Sequence, residues 1–261
     1  MAHDGAYWDH IVESWEPTLA HRLWRAHSDA VNSQLLRRWL PAGRGTLLKT
    51  DLFDEAVGRG LYPELAARFE AVVGIDVSPA AVRAASDRHP GLDARVGSVL
   101  ALPFADGSFD VVVSNSTLDH FDSLTMLRAA LEELARSIRP GGTLIVTLDN
   151  RKNPIVALRT SVLFKPLHRL GVVPYYVGAT CGPRGLAKLL RETGFEVTAM
   201  AAIMHCPPQL AAGRARRCMV EPADEQVERL HLRRVMRFEA MGRWPTRYLT
   251  AHFVGASAIR R

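Results

Sequence analysis

The stretch from residue 45 to residue 78, GTLLKTDLFDEAVGRGLYPELAARFEAVVGIDVS, constrains the fold more than any other. It predicts a strand at Thr46–Thr50, a loop, a helix at Leu61–Phe69 and a second strand at Ala71–Val77. The second strand is a nearly continuous apolar run, which is typical of a strand buried on both faces of a parallel sheet. It ends at an acidic residue, Asp76. This is the outline of the first βαβ unit of a nucleotide-binding α/β domain, in which a ligand lies beyond the carboxyl ends of the strands.

Strands and helices continue to alternate along the rest of the chain. Ser78 and Pro79 predict a helix start, because serine is a good N-cap and proline suits the first helical position. Further strands are predicted at Ala94–Ser98, Phe109–Ser114, Thr143–Leu148, Phe195–Ala202 and Tyr248–Ile259, and further helices at Leu124–Ile138, Pro183–Thr193 and Asp224–Met241. Such alternation predicts an α/β fold with a parallel sheet and right-handed crossovers.

The two ends of this pattern suggest extra elements around a cleft. Apolar residues recur at helical spacing over Thr18–Leu40, and four of the five tryptophans lie before residue 40. We predict an N-terminal helical cap at residues 1–44 over a binding cleft, with simple packing of that helix on the domain as the alternative. The remaining domain, 45–261, carries a long proline-punctuated insertion at about 149–183, which we predict to be a lid.

Composition excludes several classes of protein. Hydrophobic residues make up 48% of the chain and charged residues 23%, as in ordinary globular proteins, and no run of about 18 apolar residues predicts a membrane span. The N-terminus, MAHDGAYWDH, lacks the basic and apolar regions of a secretory signal. Three widely spaced cysteines fit a reducing compartment better than a disulfide framework. We therefore expect a cytoplasmic protein.

The net charge of +6 raises the question of an anionic partner. The basic residues cluster late, at Arg214–Arg217 and at Arg233, Arg234 and Arg237, where they form either a solvated helical face or a contact for an acidic group. No aromatic residues interleave with them as a base-stacking surface requires, so nucleic acid is an unlikely partner. We expect a small-molecule substrate and a possible homodimer. No histidine and carboxylate set has the spacing of a metal site, so no metal is expected.

Four segments together resemble the class I S-adenosylmethionine-dependent methyltransferases, and in particular those with a type 11-like methyltransferase domain. They are VVGIDVSPAAV (72–82), ALPFADGSFDVVVSNSTLDHF (101–121), LEELARSIRPGGTLIVTLDN (131–150) and LAKLLRETGFEV (186–197). The resemblance implies a Rossmann-like seven-stranded sheet with helices on both faces. Its last strand would be antiparallel and inserted near one edge, so that strands 195–202 and 248–259 form a hairpin.

The resemblance also implies a site for S-adenosylmethionine. Asp76, followed by Val77, is placed to accept hydrogen bonds from the ribose hydroxyls; the alternative is that it only caps the helix after Ser78. Ser98 and Val99 correspond to the loop around adenine, although many relatives have an acidic residue in place of Ser98. Asn115 and Ser116 follow the fourth strand, beside the methionine portion and the methyl group.

The loop after the first strand departs from the family. Asp51, Phe53 and Glu55 stand where the family has glycines, whose lack of a side chain lets the backbone approach the cofactor. Either Asp51, Asp54 or Glu55 offers a carboxylate to the α-ammonium group of the cofactor, or these side chains fill the pocket and the fold serves another task.

Methyl transfer from a sulfonium is an in-line displacement, which needs positioning and, for some acceptors, a base. Asp119 and His120 lie just after the fourth strand and are the candidate catalytic residues, although His120 could merely pack on the next helix. Candidate substrate contacts are Asp149, Asn150, Tyr175 and Tyr176. We predict a methyltransferase for a small metabolite, amphipathic or acidic; the alternative is a non-methylating cyclase, isomerase or binding subunit. The chain lacks the Asn-Pro-Pro-Tyr type of motif after strand four, which disfavours methylation of nucleic-acid bases.

Overall fold

The computed structural model describes residues 5–16, 18–42, 45–161, 166, 169, 178–207 and 225–261. Tyr175 and Tyr176 lie outside the described residues, as do Arg214–Arg217 and the middle of the predicted lid. The division into a cap at residues 1–44 and a main domain with a lid stays a prediction.

Seven strands form one sheet in the order β3-β2-β1-β4-β5-β7-β6. They are β1 Thr46–Lys49, β2 Ala71–Asp76, β3 Asp93–Val96, β4 Phe109–Asn115, β5 Ile138–Asp149, β6 Phe195–Ile203 and β7 Phe253–Arg260. The first five are parallel, whereas β7 is antiparallel to both β5 and β6 and lies between them. This arrangement confirms the predicted α/β fold with a reversed last strand inserted near one edge.

Helices cover both faces of this sheet. They are α1 Gly5–Glu13, α2 Leu19–Trp39, α3 Phe53–Val57, α4 Tyr62–Ala66, α5 Pro79–Arg88, α6 Leu124–Ser137, α7 Pro154–Arg159, α8 Pro183–Glu192, α9 Glu225–Val235 and α10 Arg247–Thr250. Neighbouring strand residues point to opposite faces, so Leu48 and Leu144 pack with α6 and α8, while Leu47 and Ile145 pack with α2 and α5. Two hydrophobic cores therefore sandwich the sheet.

The structure differs from the sequence-based elements in four places. Helix α1 was not predicted, and α3 lies within the segment predicted as a loop. The short helix α10 occupies the start of the predicted last strand, so that β7 begins at Phe253. Strand β5 begins at Ile138 rather than at Thr143, because Ile138 pairs with Phe109 before a bulge that shifts the register.

The carboxyl ends of the parallel strands meet at one edge of the sheet and bring four polar residues together. Asp76, Asn115 and Asp149 are the last residues of β2, β4 and β5, and Asp51 follows β1 by two residues. Within the described residues, none of the helices combines the length and the apolar character that a bilayer span requires.

Candidate active site

The loop after β1 sends its side chains in two directions. Asp51 and Phe53 face the cavity above the sheet, and Asp51 Oδ1 accepts the backbone N–H of Phe53 at 3.0 Å, as in an Asx turn. Leu52 is fully buried in the core beneath and packs on Gly74 of β2, where a Cβ atom would lie 2.5 Å from Leu52 Cδ2. The missing side chain at Gly74 thus makes room for Leu52 beneath the loop.

A buried ion pair holds the same loop from behind. Lys49 Nζ lies 2.8 Å from Glu55 Oε2, and Lys49 also donates to the main-chain oxygen of Asp51. Glu55 Oε1 accepts the backbone N–H groups of Leu61 at 2.9 Å and of Tyr62 at 3.2 Å. Burial lowers the pKa of Lys49, but the neighbouring carboxylates outweigh it and hold that pKa above its ordinary value. Glu55 therefore fastens the loop from the core side instead of facing the cavity.

A first chamber opens above the ends of β1 and β2, with an empty volume of about 610 Å³. Its described lining consists of polar loop residues and apolar side chains: Trp8, Val12, Thr50, Asp51, Phe53, Asp76, Val77, Ala81, Gly97, Ser98, Val99, Thr117, His120 and Phe121. The chamber unites five residues that the sequence assigned to one ligand, namely Asp51, Asp76, Val77, Ser98 and Val99.

Asp76 receives two hydrogen bonds from the protein backbone in this chamber. Its Oδ1 accepts the N–H of Ser78 at 2.9 Å, and its Oδ2 accepts the N–H of Leu52 at 2.9 Å. Burial raises the pKa of this carboxyl group despite these bonds. Because a carboxylate offers about four acceptor positions, Asp76 keeps capacity for further donors. Ser78 itself caps α5 by accepting the N–H of Ala81 at 3.0 Å.

Helix α1 covers the first chamber and is fastened to α5. Asp9 Oδ1 accepts the hydroxyl of Ser78 at 2.5 Å and the N–H of Ala80 at 2.8 Å. These two bonds lower the pKa of Asp9. Gly5 lies against the main-chain oxygen of Val77, at a distance that leaves no space for a side chain. The sequence carries no local signal for this contact, since Asp9 and Ser78 are 69 residues apart.

A second chamber adjoins the first and has an empty volume of about 1030 Å³. Its described lining is Trp8, Ile11, Trp15, Trp24, Arg25, Ser28, Asn32, Asp51, Phe53, Asp54, Asn115, Ser116, Asp119, His120, Thr147, Asp149, Arg159 and Phe253. Trp8, Asp51, Phe53 and His120 line both chambers, so they form the wall between them. The ring of His120 packs edge-to-face on Trp8, with centroids 4.9 Å apart.

A tight turn after β4 sets the polar floor of the second chamber. Ser116 has a φ of +51°, an uncommon conformation for a residue other than glycine. Its N–H donates to the main-chain oxygen of Thr147 at 3.1 Å, which holds the turn. The buried Asp119 Oδ2 then accepts the hydroxyl of Ser116 at 3.2 Å and the N–H of Asp149 at 2.6 Å. Burial and the adjacent charge of Asp149 raise the pKa of Asp119 to about 6.

Two arginines that the sequence reasoning missed face the second chamber. Arg25 of α2 pairs with Asp54, and Arg159 of α7 pairs with Asp149. His252 Nε2 lies 3.5 Å from the other oxygen of Asp149, and burial lowers the pKa of His252 to about 4. No sequence motif marks either arginine. Arg25 lies on α2, far from Asp54 in the sequence, and Arg159 lies on α7, a separate element from the strand that ends in Asp149.

Comparisons with known proteins agree with this geometry. A family model described as a methyltransferase domain matches residues 53–146. The chain is 28% identical over 183 residues to a probable S-adenosylmethionine-dependent methyltransferase of Mycolicibacterium smegmatis, which covers 70% of this chain and 63% of that relative. The chain thus spans less than two thirds of that curated relative.

Solved structures share the whole fold. One of them, a possible histamine N-methyltransferase of the S-adenosylmethionine-dependent kind from Thermotoga maritima, has a TM-score of 0.61 at 19% identity, over 98% of this chain and 99% of that one. Residues 53–146 thus match a methyltransferase domain, and the fold is that of the class I S-adenosylmethionine-dependent methyltransferases. The cyclase SpnF is similar in fold as well, with a TM-score of 0.57 at 18% identity over 89% of this chain and 80% of that one.

Within this superfamily fold, the sequence-predicted site residues divide between the two chambers and the core. Asp54, Asn115, Ser116, Asp119 and Asp149 line the second chamber, while Asp51 and His120 line both. Asn150 is buried and donates through Nδ2 to the main-chain oxygens of Tyr248 at 2.7 Å and Ala251 at 3.0 Å, so it joins the end of β5 to α10. Glu55 likewise lies in the core.

Proposed function

We propose that the protein transfers a methyl group from S-adenosylmethionine to a small molecule. The observation that carries this proposal is the pair of adjoining chambers, one with Asp76 at the ribose position and one lined by aromatic and polar side chains. Their common wall contains His120 and Asp51, so a group held in the first chamber faces an acceptor held in the second. Bringing the two reactants together accounts for much of the acceleration that such a site can supply.

The residues of the first chamber fit the cofactor. Asp76 has acceptor capacity left for the ribose hydroxyls, and Ser98 and Val99 offer a polar and an apolar contact to adenine. Asp51 offers a carboxylate to the α-ammonium group, because it alone of the three acidic loop residues lines this chamber. Burial raises the pKa of Asp51 to about 8, a shift that a bound cation would reverse. When bound, the cofactor supplies an electrophilic methyl group on its sulfonium.

His120 is the proposed base, and Asp119 is the alternative. His120 lies in the wall between the chambers, where its ring can accept a proton from an acceptor during the transfer. Asp119 is adjacent in the chain and lies deeper in the second chamber. The edge-to-face contact with Trp8 fixes the His120 ring, so helix α1 takes part in positioning the base.

Binding of S-adenosylhomocysteine, measured by calorimetry, tests the cofactor part of this proposal. We expect Asp76→Ala to weaken binding at least about tenfold, because hydrogen bonds to a charged group contribute about 1.5–3 kcal/mol. Asp93→Ala is the matched control, since Asp93 is exposed in β3 and forms an ion pair with the exposed Arg95, away from the chamber. Unchanged affinity in Asp76→Ala, or absence of binding to the folded parent protein, would overturn the assignment.

A second candidate is a cofactor-assisted reaction without methyl transfer. It is favoured by the side chains of Asp51 and Phe53, which occupy the place of loop glycines and narrow the passage between the chambers. The fold similarity to a cyclase is compatible with it. If the protein binds S-adenosylmethionine but leaves it unconsumed across a panel of acceptors, this candidate replaces methyl transfer.

The second chamber supports an acceptor with an apolar body. Its walls include three tryptophan and two phenylalanine side chains, which offer an apolar surface to such a molecule. The late arginines that suggested an acidic acceptor lie elsewhere, since Arg233, Arg234 and Arg237 are exposed on α9 and the turn after it. We further propose a cytoplasmic protein that can form a homodimer. Two free, buried cysteines, Cys181 and Cys206, agree with the first point, and light scattering tests the second.

A further inference from the structure

The second chamber has an excess of negative charge that no arginine balances. Among its described lining residues, the carboxylates are Asp51, Asp54, Asp119 and Asp149, and the guanidinium groups are Arg25 and Arg159. Asp54 is paired with Arg25, and Asp149 with Arg159. In the proposed function Asp51 belongs to the α-ammonium group of the cofactor. Asp119 is then the carboxylate of this chamber that forms no ion pair with an arginine among the described residues, while the adjacent His120 offsets part of the rise in its pKa.

The hydrogen bonding of Asp119 shows where a partner would lie. Asp119 is 2% exposed, and its Oδ2 already accepts two hydrogen bonds. Its Oδ1 is buried and accepts none from the residues that the structure describes. The buried Oδ1 of Asn115 likewise accepts no hydrogen bond from the described residues, whereas its Nδ2 donates to Asn32 Oδ1. Leaving such buried acceptors unsatisfied is unfavourable, so this floor favours a ligand that donates hydrogen bonds.

The walls of the chamber add a second preference. Trp8, Trp15, Trp24, Phe53 and Phe253 surround the polar floor. The face of an aromatic ring attracts a cation electrostatically, and most strongly for tryptophan. A carboxylate on the ligand would gain no such attraction from the rings and would be repelled by Asp119. Aromatic walls around an unpaired carboxylate are thus the chemistry that recognises an ammonium group.

The titration behaviour of the acids agrees with a missing cation. Burial and the charge of Asp149 raise the pKa of Asp119 to about 6. Burial and the nearby carboxylates, which outweigh Lys49, raise the pKa of Asp51 to about 8. Both carboxyl groups are therefore harder to ionise than usual until positive charge arrives.

We propose that the second chamber selects a small aromatic or otherwise apolar molecule that carries an amine, with Asp119 Oδ1 accepting a hydrogen bond from its ammonium group. Asn115 Oδ1 accepts a second one. This inference rests on the proposed function for the role of Asp51 and for naming this chamber the acceptor site. It rejects the acidic acceptor that the net charge of the chain suggested.

Three indole probes of similar size test the proposal: tryptamine, the neutral alcohol tryptophol, and indole-3-propionate. Their dissociation constants are measured by calorimetry, with and without saturating S-adenosylhomocysteine. We expect tryptamine to bind at least about tenfold more tightly than either of the other probes, the effect of one charge-assisted hydrogen bond. Equal or tighter binding of tryptophol or indole-3-propionate overturns the proposal, and so does failure of tryptamine to bind at millimolar concentration.

The variant Asp119→Asn tests whether Asp119 is the source of the preference for tryptamine. It keeps the size of the side chain and removes its charge, so the advantage of tryptamine over tryptophol should fall to within about twofold. The matched control is Asp122→Asn, an exposed aspartate three residues further along, which should keep the full advantage. An advantage that survives in a folded Asp119→Asn protein overturns the role of Asp119. The probe series on the unchanged protein decides the amine preference even if this variant fails to fold.

The two proposals fail separately. If S-adenosylhomocysteine does not bind but tryptamine keeps its advantage, methyl transfer is lost and the amine site stands as a binding site. If S-adenosylhomocysteine binds and the three probes do not differ, methyl transfer stands and the amine preference is lost.

Discussion

Asp51 is the residue at which this chain differs most from the glycine-rich pattern of the superfamily. Its carboxylate lines both chambers, and the Lys49–Glu55 pair holds the backbone on which it stands. A contact to the α-ammonium group has a specific consequence. Asp51→Ala should weaken S-adenosylhomocysteine binding by about tenfold or more, through the loss of a charge-assisted bond. The same variant should leave binding of 5′-methylthioadenosine unchanged, because that ligand has the adenosine part without the amino acid.

Asp76 supplies the contrast for this experiment. Asp76→Ala should weaken both ligands, since both carry the ribose that Asp76 is proposed to bind. Calorimetry on the two variants and two ligands gives four comparisons in one buffer. A loss of methylthioadenosine binding in Asp51→Ala would show that the variant disturbs the loop as a whole, and would remove the support for a direct ammonium contact.

The buried pair of Lys49 and Glu55 has a predictable energetic role. Lys49→Met leaves Glu55 ionised in the core, a change that costs about 3–5 kcal/mol in comparable buried pairs. The double variant Lys49→Met, Glu55→Gln should recover part of that loss, because glutamine can still accept the N–H groups of Leu61 and Tyr62. The measurement is the free energy of unfolding in urea for the two single variants and the double variant. Strict additivity of the three values would contradict a direct interaction.

At the scale of elements, helix α1 is the part that sequence reasoning did not find. It has nine residues, too few to be stable alone, and tertiary contacts to α5 hold it in place. Helix α3 is also too short to be stable alone. Its five residues are held in place by the contacts of the buried Glu55 side chain. Longer elements such as α6 and β2 follow their hydrophobic patterns closely and begin or end within a residue or so of their predicted bounds. Periodicity thus predicts elements that bury a regular face, and short elements held by long-range polar contacts escape it.

The contact of Asp9 with the start of α5 makes α1 a cover over the first chamber. Asp9→Ala removes the acceptor for Ser78 and Ala80, and we expect a loss of stability of about 1 kcal/mol, typical of a lost cap. Dissociation of S-adenosylhomocysteine should become faster, because α1 would leave the chamber more often. Stopped-flow dissociation and hydrogen exchange of residues 5–13 measure the two effects. Glu13→Ala, at the exposed end of α1, is the control and should change neither.

At the scale of the whole molecule, the sequence predicted the parallel sheet, its reversed last strand through the family resemblance, and one edge of the site, but not which side chains of the loop and helices would face the cleft. The strand-end residues Asp76 and Asn115 could be placed because parallel strands deliver their ends to one edge. The direction of the Glu55 side chain could not, since it depends on Lys49 being buried beneath the loop. Arg25 and Arg159 could not either, because the packing of whole helices decides which of their faces meets the cleft.

Buried histidines should make the stability of the whole molecule sensitive to mild acid. His27 of α2 is fully buried, and burial, with a smaller effect from His231, lowers its pKa to about 4. In the unfolded chain this histidine titrates near pH 6.5. Between that pH and about pH 4, the unfolded state therefore binds a proton that the folded state does not bind. The contribution of His27 to stability is therefore complete above about pH 6.5 and falls until about pH 4. The full loss is about 3 kcal/mol, since one pKa unit corresponds to about 1.4 kcal/mol.

The variant His27→Gln isolates this contribution. Urea unfolding of parent and variant at several pH values between about 4 and 7.5 gives the difference in free energy of unfolding at each pH. We expect the parent to lose up to about 3 kcal/mol relative to the variant as the pH falls through this window. The raised pKa values of Asp51 and Asp119 act in the opposite direction, because these acids cost stability when they ionise, but both proteins contain them and they cancel in the difference. His10→Gln, on the exposed side of α1, should show no such trend. A difference that stays constant with pH would mean that His27 is protonated in the folded protein and that the packing of α2 on α9 admits its charge.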